Sequence, residues 1–267
     1  MLVVGATGGV GQLVVAKLLA AGYRVRAATR SSARARDVLG ASDALEIVEA
    51  DLRNLPGLRA QRLAAGVDAA VCCVGTTAFP SARWKDNSGP EQTDFVGVRN
   101  LVEVVAEEVK EREGSASGKS GSSSSGSSSF ARFVLVSSVG VSRTDRMPFL
   151  ILNLFGVLKY KRMGEEALIA SGLPRTILRP GRLTDGPYTS YDVNTVLRAT
   201  SGSRRSAVLE RGDDLLPEET SRIVVADAAV AALRIDEAVD GAFCLGTEEG
   251  DGPGADEEKW RELFASA

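Results

Sequence analysis

Four glycines within seven residues, Gly5-Ala6-Thr7-Gly8-Gly9-Val10-Gly11, follow directly on the apolar triplet Leu2-Val3-Val4 and lead into a helical apolar pattern over Val10–Leu19. A strand, a glycine turn and a helix in that order constrain the chain more than any other feature. Gly5 is suited to the tight turn, Gly8 to close approach of backbone to a pyrophosphate, and Gly11 to close packing of helix on sheet. Thr7, Gly9 and Val10 complete the turn, and the helix N-terminus offers its unpaired amides to phosphate oxygens.

The rest of the chain repeats the alternation. Strands are expected at Tyr23–Thr29, Leu45–Ala50, Asp68–Gly75, Arg132–Ser137, Arg175–Leu178, Ala207–Glu210 and Ala242–Leu245. Helices are expected at Ala33–Leu39, Phe95–Glu111, Phe149–Ser171, Val193–Thr200, Val225–Arg234 and Glu257–Phe264, the last packing through Trp260, Leu263 and Phe264. Short apolar strands alternating with longer helices predict an α/β fold, a doubly wound and mostly parallel Rossmann-like sheet covered on both faces. Residues 1–267 read as one nucleotide-binding domain, with about 179–240 contributing a small C-terminal lobe on the substrate side. One stretch breaks the rhythm: ten of the fifteen residues in Ser115–Ser129 are serine and three are glycine, which predicts a disordered surface insertion.

Composition narrows the chemistry. The chain has no histidine, which excludes a histidine general base, a serine–histidine pair and histidine-containing zinc sites; no metal site is expected. A net charge of −3 gives no broad attraction to nucleic acid, which is not an expected partner. Cys72, Cys73 and Cys244 show neither a redox pair nor a disulfide framework and read as small core residues. The chain opens inside its first strand with no basic or long apolar stretch ahead of it, so neither a signal peptide nor a transmembrane segment is expected.

The second strand ends in Thr29-Arg30-Ser31-Ser32, where an acidic residue would select the free ribose hydroxyl of NAD. Arg30, with Arg34 as a second candidate, suits a 2′-phosphate by charge and planar geometry, so NADP(H) is the expected cofactor. Asp51, closing the third strand, is placed to accept the adenine amino group, and Cys73 and Gly75 end the fourth strand beside the cofactor. Ser137 and Ser138 end the fifth. Lys161 lies in the following helix four residues after Val157 and is the candidate to hold the nicotinamide ribose and to support catalysis with Ser138. Tyr160 precedes Lys161 by one residue and so points away from its face. Phe79, Trp84, Phe155, Arg182 and Tyr188 are expected on the carboxyl side of the sheet, as an aromatic and partly basic pocket or a packed lid.

Taken together, the Gly5–Gly11 turn, Asp51, Val136-Ser137-Ser138, Lys161-Arg162-Met163-Gly164-Glu165 and Leu178-Arg179-Pro180-Gly181 resemble the atypical short-chain dehydrogenase/reductase family. The likeness is to its NmrA-like NAD(P)-binding branch of plant and algal plastids. That resemblance implies a chloroplast location, a lysine at Lys161 on the nicotinamide ribose and a substrate-positioning serine at Ser138. The family tyrosine falls at Val157, so the usual proton donor is missing. Three readings stay open: an NADP-dependent reductase of a small activated or aromatic organic substrate, a non-catalytic NADP(H)-sensing or scaffold protein with a plastid protein partner, and a non-redox isomerase.

Overall fold

A computed structural model of the chain describes residues 1–117, 130–184, 203–215, 217 and 219–267. Its strands are β1 (Leu2–Val4), β2 (Val25–Thr29), β3 (Leu45–Glu49), β4 (Ala69–Cys72), β5 (Arg132–Val136), β6 (Arg175–Pro180), β7 (Ser206–Arg211) and β8 (Gly241–Glu248). They form one sheet in the order β3-β2-β1-β4-β5-β6-β8-β7, parallel throughout except for the antiparallel edge pair β7–β8. The order reverses between β1 and β4, and the crevice at that reversal is where doubly wound sheets bind their ligands.

Alternation along the strands divides the core into two layers. From β1 and β5, Val3, Val134 and Val136 face one layer, built with α1 (Gly9–Ala20), α7 (Arg222–Ala232) and α8 (Glu257–Ser266). Leu2, Val4, Phe133 and Leu135 face the other, where Leu58 of α3 (Leu55–Ala60) and Val98, Leu101 and Val105 of α4 (Val98–Ser117) pack. In the first layer, Lys17 of α1 pairs with Asp227 of α7 at 2.5 Å. The buried Arg132 donates to the carbonyls of Ala232 and Ile235 at 2.6 and 2.5 Å, placing a cation at the end of α7 where the helix dipole favours one.

The long helix expected over Phe149–Ser171 is broken into α5 (Phe149–Leu152) and α6 (Val157–Ala170). Gly156, at φ +79°, turns the chain between them, and the Asn153 side chain accepts from the Leu158 and Lys159 amides, both at 3.0 Å. An apolar period ran through this stretch, but an asparagine that caps the next helix from outside ends the first one. Upstream, the helix expected from Phe95 starts with a π-helical turn at Glu91–Gly97 before α4, and α4 continues to Ser117. The first residues of the serine-rich segment therefore belong to that helix, and residues 118–129 lie outside the described residues. Within the stretch expected as a lobe, β7 and α7 extend the main sheet and its covering layer, while the helix expected at Val193–Thr200 lies outside the described residues.

Helix α6 is tied to its surroundings at two points. Glu165, fully buried, is held by Arg179 of β6 through two bonds of 3.0 and 2.6 Å, and Arg179 also donates to the Gly212 carbonyl at 2.8 Å. At Gly164 the helix lies so close to the π-helical turn that a Cβ would come within 2.5 Å of the Asp94 carbonyl oxygen. The Gly164→Ala variant must push α6 off that turn. We expect a loss of about 1–3 kcal/mol in a urea titration, the cost of overpacking a tight contact; an unchanged unfolding midpoint would contradict the contact.

Candidate functional site

The glycine turn supplies a cradle that side chains would fill. Gly5 sits at φ +75°, and a Cβ there would lie 2.9 Å from the backbone of Cys73 at the end of β4. At Gly11 a Cβ would lie 2.2 Å from the Gly5 carbonyl oxygen. The Gly8 amide donates to that same carbonyl at 2.9 Å, and the Gln12 side chain donates to the Thr7 carbonyl at 2.8 Å, so the turn is closed on itself. Helix α1 then begins at Gly9 with no side-chain cap on Gly8 and no acidic residue in its first turn. The amides of Gly9, Val10 and Gly11, which have no partners within the helix, head the crevice, and this is the donor set a pyrophosphate requires.

At one end of this surface, Arg30 is exposed just beyond β2 and donates to the Ser88 hydroxyl at 2.9 Å. A second guanidinium, Arg53, reaches the same hydroxyl at 3.3 Å and also bonds the carbonyls of Asp86 and Asn87. Asp51 is engaged by Arg53 through both carboxylate oxygens, at distances from 2.6 to 3.1 Å, and that bond holds its carboxyl below the usual carboxylate range. Asp51 therefore aims a neighbouring arginine. Arg34 lies in the first turn of α2 (Ser32–Leu39), where its amide is capped by Ser31.

At the other end, Lys161 of α6 reaches across Gly75 to Asp94, with Nζ 2.8 Å from Oδ1. The Asp94 side chain is 0% exposed and also accepts from the amide and hydroxyl of Thr76. A Cβ on Gly75 would stand 3.0 Å from the Lys161 ammonium, so Gly75 acts as the gap through which the lysine passes. Asp94 sits in the π-helical turn, a backbone form common at functional sites. The segment from Thr76 to Ser88 links the two ends, touching the lysine pair at its start and both arginines at its finish.

Other expected residues are placed differently from one another. The Ser138 hydroxyl donates to the Val139 carbonyl at 3.1 Å, whereas the buried Ser137 hydroxyl has no hydrogen-bond partner. Val157 is 4% exposed and packs with Val139, Val141, Phe149 and Leu158. Tyr160 bonds Glu91 at 3.3 Å, and desolvation together with the Glu91 carboxylate raises its hydroxyl above the usual value. Phe155 meets Phe79 and Trp84 edge to face, at centroid distances of 6.1 and 5.8 Å, with Phe79 and Phe155 nearly half exposed. Arg182 pairs with Glu219 at 2.7 Å, and Tyr188 lies outside the described residues. Burial pushes the Cys72 thiol up to about 11 and Cys244 to about 12. Among the described residues, no cluster of acidic or cysteine side chains is placed to hold a metal ion, and no helix is long and apolar enough to cross a membrane.

Arg53, Ser88, Thr76 and Asp94 were not singled out from the sequence. Their only signals were an acid–arginine pair two residues apart at Asp51 and Arg53, and an isolated acid ahead of a helix at Asp94.

A parallel sheet with a glycine turn at its point of reversal and a lysine facing the same crevice has the architecture of a Rossmann-like dinucleotide-binding domain. More specifically, the chain belongs to the NAD(P)H-binding family, whose model matches residues 5–117 and 125–236. It is 33% identical over 219 residues to the chloroplast protein TIC 62 of Arabidopsis thaliana, covering 75% of this chain and 30% of that protein. The chain thus spans about a third of the length of the TIC 62 proteins it matches. It is also 28% identical over 193 residues to sanguinarine reductase of Eschscholzia californica, covering 70% of this chain and 56% of that enzyme. Among solved structures, a putative NAD-dependent epimerase/dehydratase from Bacillus halodurans superposes with a TM-score of 0.66 at 21% identity, covering 97% of this chain and 98% of that one.

The Gly11→Ala variant should lower NAD(P)H affinity at least about tenfold, because its methyl group forces α1 and its amides away from the turn. Gly114→Ala, in open space on α4, serves as the control in the same fluorescence titration. Equal affinities in the two variants would remove the turn from the binding site.

Proposed function

We propose that the chain is an NADPH-dependent reductase of a flat, conjugated organic acceptor. The observation that carries this reading is the half-exposed aromatic face of Phe79 and Phe155, which adjoins the start of α6, the helix that also carries Lys161. An apolar ring system can lie on such a face with its electrophilic carbon toward the crevice. When bound, the dihydronicotinamide supplies a hydride. The chain's own residues hold its ribose through Lys161, its pyrophosphate through the amides of Gly9, Val10 and Gly11, and its 2′-phosphate through Arg30 and Arg53.

With valine at 157 and Tyr160 turned to Glu91, no tyrosine hydroxyl among the described residues stands beside Lys161. An acceptor activated by conjugation or positive charge tolerates this, because its carbon takes hydride without first needing a proton on oxygen. The kinship to sanguinarine reductase supports the same class of acceptor. Valine at position 157 also supports a second reading, in which the chain senses NADP(H) and acts through a protein partner. A plastid location belongs to both readings and rests on the chloroplast relatives.

Two measurements test the proposal. In calorimetric titrations, wild-type protein should prefer NADPH to NADH, and Arg30→Ala and Arg53→Ala should each erode most of that preference. Equal affinities of wild type for the two nucleotides would overturn the 2′-phosphate assignment. Lys161→Met should bind NADPH about ten- to hundredfold more weakly while keeping its circular dichroism spectrum, as expected for the loss of a charge-assisted bond of about 1.5–3 kcal/mol. NADPH oxidation with a panel of cationic and conjugated aromatic acceptors separates the two readings. Turnover of at least one, abolished in Lys161→Met, supports the reductase, and inertness toward all of them in a protein that binds NADPH favours the sensor.

A further inference from the structure

Behind the Lys161–Asp94 pair lies a small cavity bounded by apolar side chains of β5 and α4, with room for a single water. Three polar residues border it, Lys161, Asp94 and Ser137. Ser137 is 7% exposed, and its hydroxyl oxygen is buried without a hydrogen-bond partner. The strand explains its direction. Ser137 continues the β5 ladder, its amide donating to the Leu178 carbonyl at 2.7 Å, and alternation puts it on the same side as Phe133 and Leu135, toward α4 and the π-helical turn. Ser138 falls on the opposite side and has its own backbone acceptor.

A buried hydroxyl without a partner is costly, and buried polar groups in folded proteins are almost always paired with protein or with ordered water. We propose that Ser137, Asp94 and Lys161 form a binding site for one ordered water, and that through this water Ser137 positions the Lys161 ammonium. The water accepts from the ammonium and donates to the Ser137 oxygen. Asp94 holds the lysine directly from the other side. The ammonium is thereby fixed between a carboxylate and a water, with its remaining proton available to the crevice. A cavity of this size that offers the water two hydrogen bonds, from the Lys161 ammonium and to the Ser137 oxygen, meets the requirements of a structural water. Ser137 is a positioning residue on this account, since it acts on the cofactor only through the water and Lys161.

The inference rests on the reading of Lys161 as a cofactor-binding group for its consequence, but not for the water itself. Its test uses two substitutions of equal shape, Ser137→Thr and Ser137→Val, which differ only in a hydroxyl. High-resolution crystal structures of the full chain without nucleotide should show a water within hydrogen-bonding distance of residue 137 and of the Lys161 ammonium in wild type and Ser137→Thr, and none in Ser137→Val. In NADPH titrations Ser137→Val should bind roughly three- to tenfold more weakly than Ser137→Thr, with similar melting temperatures. A dry cavity in wild type, or a water that persists in Ser137→Val, overturns the site. Equal NADPH affinities of the two variants, with the water lost only in Ser137→Val, overturn the positioning role. Should wild type bind no NADPH, the cofactor reading fails while the crystallographic comparison still decides the water site.

Discussion

The carbonyl oxygen of Gly5 occupies the space that a side chain on residue 11 would need, and that single contact sets the position of α1 on the sheet. Much else is referred to it. Because α1 lies tight against the end of β1, its first amides stand over the sheet where the strand order reverses. Because α1 is fixed, α7 has a surface to pack on, and the Lys17–Asp227 pair joins the two helices. The Gly5 turn in turn abuts the end of β4 at Cys73, from which the chain runs on to Gly75 and Thr76. Phosphate binding and lysine placement are therefore built outward from one backbone contact.

A comparable economy governs α6. Within five consecutive residues, Lys161 enters the crevice, Gly164 allows the helix to touch the π-helical turn, and Glu165 anchors it to Arg179. A buried bidentate ion pair of this kind adds little net stability compared with apolar packing, but it is expensive to break on one side only. Its value here lies in direction: it fixes the rotation of α6 about its axis, and the helix carries Lys161 with it.

How much of this was legible in the sequence follows from the range over which each signal acts. The turn, the alternating strands and the helices they precede are written in neighbouring residues, and the parallel sheet follows from their order. Arg30 could be singled out as a candidate because the end of the second strand lies near the ribose in doubly wound folds. Arg53 and Asp94 could not, because the meaning of each comes from a partner far along the chain, Ser88 in one case and Lys161 in the other. The break between α5 and α6 was present as Asn153 and Gly156, but the apolar period running across it was the stronger pattern. Both serines at the end of β5 were visible; which of them faces α4 depends on strand phase, and the end of a strand is where that phase is hardest to read.

The segment between Thr76 and Ser88 has a consequence for anyone wishing to alter this protein. It is a tether of fixed contour fastened at both ends, to the lysine pair at one and to the two arginines at the other, with the aromatic face of Phe79 and Trp84 in between. Lengthening or shortening it would shift the three together. Altering the arginine end and reshaping the aromatic face are thus coupled engineering problems, and libraries that randomise one while holding the other constant sample only a narrow slice of the workable sequences.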